Sequence, residues 1–138
     1  RVLPGPYRRD AETAAPRPVG AVRAIARDID ALGLPDDSIL TDTFGSFLVV
    51  QSSSNRSQFV TTPDRDFERV LSAPRQFGIR YLLVPSTGHA AYDAVSDVWP
   101  GVFDGSNPIG RVAKEGGDPA EPSTHYRLVR LSATGAPG

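Results

Sequence analysis

Ile79-Arg80-Tyr81-Leu82-Leu83-Val84 is short and almost unbroken in apolar side chains. A strand with one wet face alternates polar and apolar residues, whereas a near-continuous apolar run marks a central strand covered on both faces. Helices are therefore expected around it. Downstream, Pro85-Ser86-Thr87 leads into a helix from about Gly88 to Val98, with Tyr92, Val95 and Trp99 on one side. Upstream, Thr62-Pro63-Asp64 is a helix start: a capping hydroxyl, proline at the first position and an acid in the first turn. Phe67, Val70 and Leu71 give that helix its apolar face, and Pro74 lies past its end.

Further upstream the alternation repeats. Gln58 to Thr61 reads as a short strand, and so does Ser38 to Thr41. Between them, Asp42 or Thr43 caps a helix whose apolar face is Phe44, Phe47, Leu48 and Gln51, ended by the polar run Ser52 to Ser57. A first helix runs from about Val19 to Leu32, because Val22, Ile25, Ala26, Ile29 and Leu32 follow helical spacing while Arg23, Arg27 and Asp30 fall elsewhere. Gly33 and Pro35 stop it. Toward the other end, Gly101 to Pro108 reads as a loop. Gly110 to Glu115 and Thr124 to Leu131 then read as two strands joined by an enlarged hairpin loop, Gly116-Gly117-Asp118-Pro119.

The order is α-β-α-β-α-β-α-β-β. Alternating strands and helices imply right-handed crossovers and a mostly parallel sheet of about five strands, with a C-terminal antiparallel hairpin. The expected fold is α/β, three-layer and Rossmann-like. Residues 1–17, with Pro4, Pro6 and Pro16, read as a proline-rich leader or linker, 18–131 as one domain and 132–138 as a flexible tail.

Composition narrows the function classes. Fifteen basic and sixteen acidic residues give a formal charge of −1, and the arginines are interleaved with aspartates, so no basic stripe for nucleic acid is present. No apolar run approaches the roughly 18 residues of a membrane-spanning helix. There is no cysteine, which excludes disulfides, thiolate zinc sites and thiol catalysis. There is also no methionine, and the first residue is Arg1, which points to a piece of a longer chain. His89 and His125 lack metal-ligand spacing, and no cofactor motif occurs: the turn after the first strand, Thr41-Asp42-Thr43-Phe44-Gly45, has one glycine where a dinucleotide fold needs several. No Gly-x-Ser-x-Gly elbow is present.

In open α/β sheets, ligands sit beyond the carboxyl ends of the strands. Two such ends carry polar groups, Asp42 and Thr43 after the first strand and Ser86, Thr87 and His89 after the central one. These five residues are the candidate ligand-binding set, with Asp42 first among them. Helix capping is the simpler reading for Asp42, Thr43, Ser86 and Thr87. A small hydrolase built on Asp42 and His89 is a further alternative. No residue is assigned a catalytic role. His125, at the start of the last strand, is expected on the surface.

The ordered set Ser38-Ile-Leu-Thr-Asp42, Gln58-Phe-Val-Thr-Thr-Pro-Asp-Arg-Asp-Phe67, Gly78-Ile-Arg-Tyr-Leu-Leu-Val-Pro85, Tyr92 through Trp99-Pro100-Gly101, and Tyr126-Arg-Leu-Val-Arg130 resembles the C-terminal soluble domain of actinobacterial polytopic membrane proteins. These in turn resemble glycosyltransferases that use lipid-linked sugars. The resemblance spans about residues 19 to 131. It implies a domain on the extracytoplasmic side of the cell membrane, acting as a cap or substrate-positioning module. Its partners would be the transmembrane part of the parent chain and a lipid-linked sugar or glycan, with catalysis residing in loops between membrane helices.

Overall fold

The computed structural model describes residues 16–86 and 92–132. Thr87, His89 and the first residues of the helix expected from Gly88 to Val98 lie outside the described residues, as do most of the predicted leader and tail; at the described residues that helix begins only at Ala94, after extended backbone at Asp93. The elements, in order, are α1 (Pro16–Asp30), β1 (Ile39–Thr41), α2 (Thr43–Ser52), β2 (Phe59–Thr61), α3 (Phe67–Ser72), β3 (Tyr81–Pro85), α4 (Ala94–Val98), β4 (Gly110–Gly116) and β5 (Tyr126–Leu131), with short 3₁₀ turns before β2, β3 and β5.

The strands form one mixed sheet in the order β2-β1-β3-β5-β4. β1 pairs in parallel with β2 and β3. β5 runs antiparallel to both β3 and β4, so it alone opposes the other four. The last two strands thus form the expected hairpin, but the final one is inserted beside the central strand and β4 becomes the edge.

Register explains the apolar run. Leu82 lies beside Leu40 and Val129, and Leu83 beside Thr41 and Leu128. Successive β3 side chains then enter different cores. Leu82 and Val84 join Leu40, Val60, Val129 and Leu131, packed with Phe67, Val70 and Leu71 of α3 and Val95 of α4. Tyr81 and Leu83 join Ile39, Phe59, Tyr126 and Leu128, packed with Val22, Ile25, Ala26 and Ile29 of α1 and Val49 of α2. Leu82, Leu83 and Val84 are fully buried. Each is worth roughly 1.5–3 kcal/mol relative to exposure.

Several boundaries differ from expectation. The Thr62-Pro63-Asp64 segment forms turns rather than helix, and α3 begins only at Phe67. The reason is local: Asp64 accepts the backbone N–H of Thr61 at 2.7 Å, which closes a turn on the end of β2 instead of capping a helix. Gly33, with φ 62°, ends the first helix as its position predicts. Gly117, with φ 86°, lies where a Cβ would collide with the Thr124 carbonyl, so the enlarged hairpin loop closes only around glycine.

The largest departure is the orientation of α2. Phe44, Phe47 and Leu48, its expected inward face, are 74, 55 and 52% exposed. The residues it buries are Gly45, Ser46 and Val49. A polar network under the helix accounts for this. Thr41 Oγ1 lies 2.8 Å from Ser46 Oγ and donates to the Leu83 carbonyl at 2.9 Å. Tyr126 donates its hydroxyl to the Gly45 carbonyl at 2.7 Å. Small side chains let the helix approach closely, and every buried hydroxyl in the network finds a partner. Burial also pushes the Tyr126 phenol up to about 12, which keeps it a donor.

Candidate functional site

The carboxyl end of the parallel strands is organised by Asp42, which is almost fully buried. Its Oδ1 accepts the backbone N–H of Phe44 at 2.9 Å and the hydroxyl of Thr62 at 2.8 Å. Its Oδ2 accepts the backbone N–H of Ala94 at 2.8 Å. One carboxylate therefore caps α2 and ties together the segments after β1 and after β2 and the first residue of α4. Thr43, beside it, donates its backbone N–H to the Thr62 hydroxyl at 2.9 Å. Ser86, after β3, donates its backbone N–H to the His125 carbonyl at 2.9 Å, on the side of the strand away from β1.

A second carboxylate, Asp93, lies next to this node and was not singled out from the sequence. It is only 8% exposed, and its Oδ2 caps α4 by accepting the Ser96 N–H at 2.8 Å. Its Oδ1 and the Ser96 hydroxyl are buried without hydrogen-bond partners. Burial outweighs the hydrogen bonding from Ser96 and, with a smaller contribution from the negative charge of Asp42, pushes the Asp93 carboxyl up to about 6. The sequence signal was weak: an aspartate three residues before a serine is a common N-cap, and nothing in the spacing announces a buried acid.

Beside the node, Thr62, Phe67, Glu68, Leu71, Tyr92 and Val98 line a cleft of about 380 Å³ between α3 and α4. Tyr92, expected on one side of a helix with Val95 and Trp99, precedes α4 instead, and like Val98 it is substantially exposed on the cleft wall. Trp99 lies behind it, donating its indole N–H to the Leu71 carbonyl at 3.1 Å.

Two further polar clusters serve packing. Asp30 at the end of α1 accepts Ser53 Oγ at 2.6 Å, Ser54 N–H at 2.8 Å and Gln58 Nε2 at 2.7 Å. Burial pushes its carboxyl upward, but these hydrogen bonds outweigh it and hold the group below the usual range. His125 is buried rather than on the surface. Its Nε2 contacts Glu115, and its ring meets Phe103 edge to face at 5.2 Å. Glu115 also pairs with Arg127 at 3.0 Å, and hydrogen bonds from His125 and Arg127 hold its carboxyl below the usual value.

Among the described residues, no three His, Asp or Glu side chains are grouped to hold a metal ion, and no helix is long and apolar enough to cross a membrane. Comparison of the chain with protein-family models, curated proteins and solved structures gives no match.

The remaining feature of note is a surface. From Thr43 to Asn55 the chain carries no charged residue, and the outward side of α2 presents Phe44, Phe47, Leu48 and Gln51. An apolar helix side is normally covered rather than exposed. Contiguous exposed apolar side chains of this size mark interaction sites.

Proposed function

We propose that this chain is a non-catalytic accessory domain, three-layered and Rossmann-like, of a multi-pass, glycosyltransferase-like membrane protein. In this reading it stands on the extracytoplasmic side and packs on, or positions substrate for, the membrane part. The observation that carries the reading is α2. A helix that turns Phe44, Phe47 and Leu48 outward while burying glycine and serine is built to meet something beyond this domain. The ordered motif resemblance supplies the kind of parent. The state of Asp42 agrees with it: the three donors it accepts come from this domain's own backbone and Thr62, which makes it a tie between segments.

The test is the complete reading frame and its product. The frame is expected to encode several membrane helices upstream of residue 1. A reporter joined after Leu131 is expected to be active only on the outer side. A product that fractionates without the membrane would end this reading.

A second reading, a binding module for a sugar or glycolipid head group, is favoured by the cleft of about 380 Å³, where Tyr92 offers an aromatic wall and Thr62 and Glu68 offer polar groups. Titration with monosaccharides and polyprenyl-phosphate analogues should then shift the NMR signals of Thr62, Tyr92 and Ala94. Unmoved signals at all three would remove it.

A further inference from the structure

We infer that the outward face of α2 rests on an anionic lipid surface, with Phe44, Phe47 and Leu48 entering the headgroup region and Arg23 and Arg27 of α1 meeting lipid phosphates. The membrane it invokes is the one in the reading above, on which this inference rests.

The apolar part of the argument is the geometry of α2. Phe44, Phe47 and Leu48 stand at i, i+3 and i+4, on the side opposite buried Gly45, Ser46 and Val49. They form one protruding strip along a helix about 15 Å long.

Charge decides the occupant. α1 packs beside α2, and Asp30 shows which flank of α1 faces it, since Asp30 bonds Ser53 and Ser54 at the end of α2. Arg23 and Arg27 share that flank by spacing, at i, i+4 and i+7 with Asp30, and both are exposed. The acid on this flank is Asp30, already engaged by Ser53, Ser54 and Gln58. Asp28 lies on the other side of α1, in a recess with Lys114 and Glu115. Asp42 is buried beneath the helix start. On its other side α2 opens at Val50 on a recess where Asp36, Asp37, Asp64 and Asp66 stand with Arg56 and Arg65, whereas on the α1 side, among the described residues, the strip is flanked by guanidinium groups with no free carboxylate. This is the arrangement that anionic lipid complements, with long arginine stems covering apolar surface and their heads reaching phosphate. A second copy complements it poorly. Pairing two α2 strips face to face would bring arginines against a helix that itself carries no acid.

The experiment is co-sedimentation of the purified chain with vesicles of phosphatidylcholine alone and of phosphatidylcholine containing about a quarter phosphatidylglycerol. Binding is expected to the anionic vesicles and to weaken as salt rises from about 0.1 M to about 0.5 M. The triple variant F44S/F47S/L48S, checked for its native fold by circular dichroism, should lose more than about tenfold in affinity. R23Q/R27Q should lose the preference for anionic over neutral vesicles. A lipid-borne spin label should broaden the amide signals of residues 44–51 above all others.

No sedimentation with either vesicle overturns the inference. So does a concentration-dependent dimer that the triple variant abolishes, because the strip would then be covered by a second copy. The two proposals fail separately. A reading frame without membrane helices removes the parent assignment even if vesicles bind, and a membrane-spanning parent with inert vesicles removes the lipid contact alone.

Discussion

Replacing Asp93 with Asn should stabilise the domain at neutral pH and have little effect in acid. The carboxyl is nearly buried, lies near the negative charge of Asp42 and is pushed from 3.8 to about 6. The sign follows from linkage. An acid whose folded value is raised binds its proton more tightly when folded, so its neutral form favours folding. That advantage is fully present below about pH 4 and lost as pH rises toward 6. Above 6 both states are ionised and the folded state bears the full cost of a buried charge. At roughly 1.4 kcal/mol per tenfold, the difference is about 3 kcal/mol. Asparagine removes the charge and keeps an oxygen to accept the Ser96 N–H that caps α4. Its amide also places a donor where Oδ1 now lies unpartnered, beside a segment whose Ser96 hydroxyl also lacks a partner. Urea unfolding of wild type and Asp93→Asn at pH 4 and pH 7.5 measures the effect. The expected result is a gain of about 2–3 kcal/mol at the higher pH that shrinks toward zero at the lower. A variant equally stable or weaker at pH 7.5, or a gain independent of pH, would refute the reasoning.

The orientation of α2 predicts an inversion of the usual rule. Val49→Ala should cost about 2 kcal/mol because Val49 is fully buried, while Phe44→Ser should change folding stability by less than about 0.5 kcal/mol; thermal melts of the two variants compare them directly. Asp42→Ala removes the acceptor for Phe44, Thr62 and Ala94 together and should cost about 2–4 kcal/mol, with faster hydrogen exchange at the Phe44 and Ala94 amides. Gly117→Ala, at φ 86° and against the Thr124 carbonyl, should cost at least about 2 kcal/mol, whereas Gly20→Ala in α1, where a Cβ meets nothing, should be neutral or stabilising by up to about 1 kcal/mol. Equal effects at the two glycines would contradict the loop geometry.

The sheet was legible because its signal is local. The apolar run Tyr81 to Val84 alternates between two cores, and a side chain needed on either face must be apolar wherever it falls. The first helix was legible for a similar reason, as the stripe Val22, Ile25, Ala26 and Ile29 serves one core, whereas the helices expected from Thr62 and through Tyr92 begin at Phe67 and Ala94. The orientation of α2 was not. Periodicity identifies a stripe, but not whether the core or an outside partner covers it. The contrary evidence came from afar: the hydroxyl of Tyr126 reaches the Gly45 carbonyl across a separation of 81 residues. The candidate site was half visible. Asp42 was identified from its place after the first strand, but Thr62 and Ala94 become its donors only once three segments converge. Asp93 carries the same letter as any surface aspartate, and burial alone distinguishes it. His125 was misplaced because a histidine opening a strand gives no sign that Phe103 and Glu115 will enclose it.

The insertion of β5 between β3 and β4 has a consequence for the order in which the chain can fold during synthesis. β1, β2 and β3 can pair as soon as Pro85 is available, but among the described residues β4 pairs only with β5. Until Leu131 has been made, β3 keeps an open edge, and Val84 and Leu82 lack the strand that pairs with them. A nascent chain emerging from a ribosome therefore waits for its last strand to close both halves of the sheet. Until then it exposes apolar residues of β3, to which chaperones and aggregation partners also bind.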